Sequence, residues 1–290
     1  MISKLLFTHK YIYRMIVISE NKIHLFNFIT FETIDILTTF TNPKGVFAIS
    51  AESTSTFIAY PDRHKGYVRI KSYDVPVNTP LINAHDDPLE YIALNSDGKI
   101  LATASIRGTV IRLFTVDSNG TMVLELRRGG EEAQITNIVF DMNSKFIACS
   151  SSRKTIHIFS LWTILKNKNS KDVIECRHGN KRCDCYYCDD SEKNKEEARN
   201  KKSLVGKIAR FLKFPGGYWD SEWSFAQFRI DDEKSLCFFG MDNVIGVVTF
   251  SGKYYQATYD TSYGGECTLI QKYALYGNNV QLVNDENGNF

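Results

Sequence analysis

The sequence predicts an all-β fold, a WD-repeat-like β-propeller, and two observations carry the prediction. Short apolar runs bounded by turn residues follow one another at the close spacing of all-β proteins. Two of these stretches also align with each other. The offset is 46 residues at two landmarks (Lys99 to Lys145, Ala102 to Ala148) and 45 at a third (Phe114 to Phe159). A repeat of about 40–45 residues with several strands per copy marks propeller blades. Each blade buries its faces only against neighbours, so one copy alone is unstable. Composition agrees: 19 Phe, 15 Tyr and many β-branched residues favour strands over helices.

Tyr11–Ile18 and Ile23–Phe28 flank the polar turn Ser19-Glu20-Asn21 and read as paired strands. Val46–Ser50, Thr56–Tyr60 and Tyr67–Tyr73 follow, separated by polar or Gly-containing links. In the first aligned copy, Ile92–Lys99 leads to Ala102–Ser105 and Val110–Phe114. In the second, Ile138–Lys145 leads to Ala148–Ser151 and Ile156–Phe159. A third copy fits Phe225–Ile230, Ser235–Gly240 and Val244–Phe250, and a fourth fits Gly45–Tyr73. The pattern breaks over residues 163–217, which hold 14 Lys or Arg against 8 Asp or Glu and few β-formers. That stretch reads as one mobile insertion in a single domain spanning 1–290. Near its end, residues 204–214 place Leu204, Val205, Ile208, Phe211 and Leu212 on one helical face.

Several function classes are disfavoured. Net charge is +2, too little for a global field directed at nucleic acid. No window approaches the roughly 18 consecutive apolar residues of a membrane span. The apolar run within Met1–Lys10 is too short for a signal peptide. The seven cysteines are odd in number, and Cys149, Cys237 and Cys267 sit inside strand-like runs, which reads as reduced thiols in a cytoplasmic protein. Cys176, His178, Cys183, Cys185 and Cys188 cluster in the insertion, but the irregular spacing lacks the two separated pairs of a structural zinc site. A plain Cys-containing loop is the better reading, and no metal or cofactor is expected. No nucleophile, base or carboxylate pair stands in a Gly-rich or strained turn, so an enzyme is not expected.

Ala84-His85, Ile92–Gly98, Ala102–Ser105, Arg107-Gly108-Thr109 and Ile111–Phe114 resemble the fifth blade of the PROPPIN (WIPI-like) family. Leu126-Arg127-Arg128-Gly129 matches its defining [Phe/Leu]-Arg-Arg-Gly motif. Ser150-Ser151, Thr155 and His157–Phe159 resemble its sixth blade, and Ser221–Phe228 with Ser251–Tyr255 its last. Asn42-Pro43-Lys44-Gly45 is similar to the opening of the fourth. The resemblance runs from Tyr11 to Tyr273 and begins within the third blade, so about five of the family's seven blades are expected.

The resemblance implies a non-enzymatic peripheral membrane adaptor that binds phosphatidylinositol 3-phosphate or phosphatidylinositol 3,5-bisphosphate at two rim sites. It implies recruitment of autophagy or trafficking proteins to autophagic, endosomal or vacuolar membranes. A WD-repeat-type protein-interaction scaffold without lipid binding is the alternative. By resemblance, Arg127 joins a first site with His85, Ser105, Arg107, Thr109 and Arg112. Arg128 joins a second with Ser150, Ser151, Thr155 and His157. Arg suits the task because its planar fork of donors stays charged and matches phosphate oxygens. Neighbouring residues on extended backbone point opposite ways, so one pair can serve two pockets. Ser and Thr hydroxyls add neutral donors, and His157 is expected to bind more strongly at lower pH.

The same residue types also serve plain structural ends. An Arg-Arg pair is usually a solvated face, Ser105 and Ser151 suit turns, and a His at position 85 is often structural. Lys154 departs from the family's Gly before Thr155, which adds charge or distorts a turn. The 204–214 segment resembles, in position, the family's membrane-inserting loop. Lys207, Arg210, Phe211, Leu212 and Phe214 are its expected membrane contacts, against the alternative of a helix packed on its own propeller.

Overall fold

The computed structural model describes residues 2–8, 14–50, 56–74, 81–161, 199–202, 221–232, 234–274 and 281–282. The described residues form strands and no α-helix, in two units, Met1–Met122 and Val123–Phe290.

In the first unit, β1 (Ile2–Thr8), β2 (Arg14–Ser19), β3 (Lys22–Asn27) and β4 (Thr33–Thr38) form one antiparallel sheet in chain order. The alternation that predicts β2 and β3 becomes a buried face. Ile16 lies opposite Leu25, and Ile18 opposite Ile23, with all four fully buried. The next sheet orders β5 (Ala48–Ile49), β6 (Phe57–Pro61), β7 (Tyr67–Ser72) and β8 (Ile82–Asn83). Its Phe47, Ile58 and Tyr60 complete the core under the first sheet. Its other face, with Val46, Ala59, Val68 and Ile70, packs on Ile92, Leu101 and Phe114. Those three come from β9 (Leu89–Leu94), β10 (Ile100–Ser105) and β11 (Val110–Thr115), the strands of the first aligned copy. Every residue of β10 is buried, as expected of a strand covered on both faces.

In the second unit, the end of β12 (Met122–Arg127) is followed by β13 (Ile135–Phe140), β14 (Phe146–Ser151) and β15 (Thr155–Ser160). Residues 199–202, inside the expected mobile insertion, are built into the fold. The buried Asn200 side chain accepts from Ser160 N (2.6 Å) and donates to Ser160 O (2.7 Å) and Glu222 Oε2 (2.9 Å). β16 (Lys201–Lys202) then pairs with β17 (Glu222–Trp223), which runs parallel to β12. The insertion is therefore interrupted by an anchored point, because an amide that bonds both polar groups of one residue fixes that chain position. The expected amphipathic segment and the Cys cluster lie outside the described residues.

The proposed third copy needs correction. Phe225–Ile230 contains β18 (Ala226–Arg229), which pairs with β15 and not with β19 (Ser235–Phe239). It completes the sheet of β13–β15, where Phe228 faces Ile156 and Ala226 faces Ile158. The last sheet consists of β19, β20 (Val244–Thr249), β21 (Lys253–Thr258), β23 (Thr268–Ala274) and β24 (Gln281–Leu282). β22 (Gly265–Glu266) crosses back to lie parallel to β18. Phe146, Phe225, Phe228, Tyr255 and Tyr259 fill the core between these two sheets. A buried side chain of this size contributes about 1.5–3 kcal/mol over exposure. Thr136 and Ser150 hydroxyls both donate to Ser235 O, at 2.7 and 2.9 Å, and pin the sheets together.

Candidate functional site

Arg127 ends β12 and Arg128 follows it, so strand geometry presents two consecutive guanidinium groups at one sheet end. The two engage different partners. Arg127 Nε and Nη2 donate to Ser221 Oγ at 3.2 and 3.0 Å, and Ser221 Oγ donates to Glu125 Oε1 at 2.8 Å. The Glu125 carboxylate lies 3.8 Å from Arg127 Nη2. The parallel pairing of Leu126 with Glu222 and Arg127 with Trp223 brings Ser221 there. Arg128 Nη2 donates to the Glu131 carbonyl across the turn Gly129–Glu131. Burial pulls its guanidinium below the usual value, with Arg153 acting in the same sense.

Arg127 is 6% exposed and Arg128 5%. The cause is local: β17 covers the first, and the turn after the strand folds over the second. That turn borders open space, since a Cβ placed on Gly129 would meet nothing within 4 Å.

Around Arg128 the structure places the other residues of the second expected site. Ser150 is fully buried and its hydroxyl is committed between sheets, to Ser235 O and Thr136 Oγ1. Ser151 is fully buried, and its Oγ accepts from Arg153 N at 3.2 Å. Thr155 opens β15 half-buried. His157 pairs with Cys149 on one side and Gln227 on the other, and its Nδ1 lies 3.3 Å from Ser224 Oγ. Burial, then the charge of Arg128, pull its pKa down to about 4. The expected gain of charge on mild acidification is therefore corrected: a ring desolvated beside a cation stays neutral near pH 6. Among the described residues, the non-glycine residues at positive φ are Phe31, Ser144, Asp242 and Asn243. Lys154 takes its place without that strain, and its carbonyl accepts from Ile230 N at 2.8 Å.

The first expected site's other residues lie in the first unit. His85 is buried and its Nε2 shares a hydrogen bond with Thr103 Oγ1 at 2.9 Å. Thr103 Oγ1 donates to Arg112 O at 3.3 Å, and Arg112 Nη1 donates to Ala84 O at 2.8 Å. This ring of bonds makes His85 a strut that fixes the entry to β9. Ser105 is buried at the end of β10, and its carbonyl accepts from Gly108 N at 2.9 Å. Thr109 is half-buried. Arg107 is exposed and points its Nε to within 4.0 Å of Asp87 Oδ2. The expected membrane contacts Lys207, Arg210, Phe211, Leu212 and Phe214 lie outside the described residues.

Sequence reasoning missed Ser221, Glu125, Glu131, Asn200 and Asp87 as partners. Nothing in a linear pattern brings Ser221 to Arg127, which it follows by 94 residues. Among the described residues no group of three metal-ligating side chains gathers, and no helix is long and apolar enough to cross a membrane.

Comparison with known proteins agrees with this architecture. The family model described as PROPPIN matches residues 2–176. Autophagy-related protein 18 of Schizosaccharomyces pombe is 28% identical over 288 residues, covering 90% of this chain and 73% of that protein. WD repeat domain phosphoinositide-interacting protein 1 of Xenopus laevis is 29% identical, covering 91% of this chain and 58% of its own length. The chain thus spans roughly three-fifths to three-quarters of these relatives. The solved structure of Kluyveromyces lactis Hsv2 superposes with a TM-score of 0.64 at 18% identity, over 95% of this chain and 74% of that one. At that identity the likeness speaks for the fold.

Proposed function

The chain belongs to the PROPPIN family, and from that premise we propose that it is a non-catalytic, phosphoinositide-binding peripheral adaptor. It brings autophagy or endolysosomal machinery to membranes bearing phosphatidylinositol 3-phosphate or phosphatidylinositol 3,5-bisphosphate. The observation that carries the reading is the Arg127-Arg128 pair at the end of one strand, each guanidinium committed to a different polar set.

The hydrogen bonds from Arg127 to Ser221 and from Arg128 to Glu131 go to neutral oxygens that a phosphate can replace, with the Glu125 carboxylate 3.8 Å from Arg127 Nη2. A phosphate monoester offers about −1.5 to −2 charges and three acceptor oxygens. Exchanging the Ser221 hydroxyl or the Glu131 carbonyl for such an oxygen turns a neutral acceptor into a charged one, which makes the hydrogen bond roughly twice as strong. For Arg128 the Glu131 carbonyl lies on a turn exposed from Gly130 to Glu132, and the open space beside Gly129 leaves that turn room to move. Ser151, Thr155 and the neutral His157 ring then supply donors without further charge. Two such sites on one chain bind together by avidity, so neither needs high affinity alone. Lys207, Arg210, Phe211, Leu212 and Phe214 are assigned to the bilayer contact that would add to them. The protein is accordingly placed on autophagic, endosomal or vacuolar membranes.

The test is sedimentation with phosphatidylcholine vesicles, with and without phosphatidylinositol 3-phosphate. The wild-type chain is expected to bind only the latter, and the double variant Arg127→Thr/Arg128→Thr to lose that binding. A wild-type chain that stays in solution with both vesicles overturns the adaptor reading and leaves a protein-interaction scaffold.

A further inference from the structure

We propose that the turn Asp62–Tyr67 is a further phosphate-recognition element, in which Lys65 acts with Arg107, and that Asp87 is the resident counter-ion a phosphate group displaces. The inference rests on the phosphoinositide reading above and extends it to Lys65 and Asp87, which lie outside the two expected sites.

The turn is built to hold its shape. Asp62 N donates to Tyr67 O at 2.9 Å, and Tyr67 N to His64 O at 3.2 Å. The buried Asp62 carboxylate accepts from His64 Nδ1 and Arg69 Nε, each at 2.9 Å. Burial alone would raise that carboxyl, but the bonds from Arg69 and His64 outweigh it and hold the group below its ordinary value. An anionic post thus anchors the turn from inside, while Arg63, His64 and Lys65 stand outside in solvent.

The turn is also pressed against the first expected site. Ala84 N and His85 N both donate to Gly66 O at 3.1 Å. Gly66 has φ +80°, and a Cβ there would come within 1.7 Å of His85 O, so only glycine permits the approach. The result places Lys65 Nζ 3.9 Å from Asp87 Oδ1 and Arg107 Nε 4.0 Å from Asp87 Oδ2. Two cations from separate turns converge on the two oxygens of one carboxylate.

Asp87 holds each of these cations only at long range. Lys65 and Arg107 are 51% and 60% exposed, and at these separations the pairs are weak, solvent-screened contacts. A phosphate group carries more charge and a third acceptor oxygen to share between the two cations. Asp87 and its exposed neighbour Asp86 oppose that anion. In this arrangement Asp87 sets how much negative charge a surface must present before the turn engages.

The chemistry is that of a phosphate group, from a lipid headgroup or free in solution, and the experiment separates the two. Wild type, Lys65→Glu and Asp87→Asn are compared on three probes. These are vesicles with phosphatidylinositol 3-phosphate, soluble inositol 1,3-bisphosphate by calorimetry, and inorganic phosphate. With about 1 kcal/mol per charge near an anionic surface, Lys65→Glu, a change of two charges, is expected to weaken vesicle binding about thirtyfold, and Asp87→Asn to strengthen it about fivefold. The same ranking on inositol 1,3-bisphosphate supports headgroup recognition, and the same ranking on inorganic phosphate alone supports a free-phosphate site. If wild type binds vesicles while both variants match it, or if Asp87→Asn weakens binding, this inference falls and the adaptor reading stands. If wild type binds no vesicle, the adaptor reading falls, and the two soluble probes still decide the turn.

Discussion

His157 makes the stability of the second unit sensitive to acid, and the size of the effect follows from its burial. In the unfolded chain the ring protonates near 6.5; in the fold, desolvation and the Arg128 charge bring it down to about 4. A group with a depressed histidine pKa is neutral in the fold, so its contribution is intact above the unfolded pKa. It is lost as pH falls from 6.5 toward 4, where the unfolded chain binds a proton that the folded chain cannot. Between pH 7 and pH 5 this difference removes about 2 kcal/mol, rising to roughly 3 kcal/mol below pH 4. The assay is urea unfolding at pH 7, 6 and 5 for wild type and His157→Leu, with the difference between their pH slopes as the readout. Carboxylates that titrate in both proteins cancel. Wild type should lose about 2 kcal/mol more than the variant over this window. Equal slopes, or an NMR titration of His157 with a midpoint near 6.5, would refute the claim that the fold keeps the ring neutral.

Other outcomes follow from the same geometry. Gly66→Ala should destabilise the first unit by about 2–4 kcal/mol, because strain at φ +80° adds to collision with the His85 carbonyl; a thermal melt measures it, and an unchanged midpoint counts against the close approach. Asn200→Ala breaks three buried hydrogen bonds and leaves Glu222 without its amide donor, costing about 1–3 kcal/mol in denaturant unfolding. Burial pushes the Cys237 thiol up to about 12 and Cys149 higher, so neither should be alkylated in the native protein. Peptide mapping after iodoacetamide, with and without urea, checks this, and rapid native labelling of either would show that the sheet packing opens.

The strands were legible because alternation of apolar residues marks which side of a strand is buried. Ile16, Ile18, Ile23 and Leu25 show this, and so do the paired stretches around Lys99 and Lys145. Alternation says nothing about which neighbour a strand joins. β18 has the right pattern for the last sheet, yet its hydrogen bonds go to β15. The candidate arginines were legible from a short motif, but their surroundings were not. Ser221 reaches Arg127 through a two-residue parallel pairing that composition and spacing do not encode. The misreading of His157 has a similar origin, since its titration depends on desolvation by burial and on the Arg128 charge, both set by the assembled fold. His85 and Ser150 show the converse: residue types suited to phosphate are spent on a strut and an inter-sheet clamp.

The crossing at Gly264-Gly265 gives the C-terminal end of the chain leverage over residues far from it. Gly265 N donates to Phe225 O at 3.0 Å and Cys267 N to Gln227 O at 2.8 Å, and a Cβ on Gly264 would sit 2.3 Å from that Phe225 oxygen. A chain cut short after Tyr259 would therefore shed more than its own final strands. It would bare the outer flank of β18, loosen Gln227 opposite His157, and carry the damage inward to the neighbourhood of Arg128.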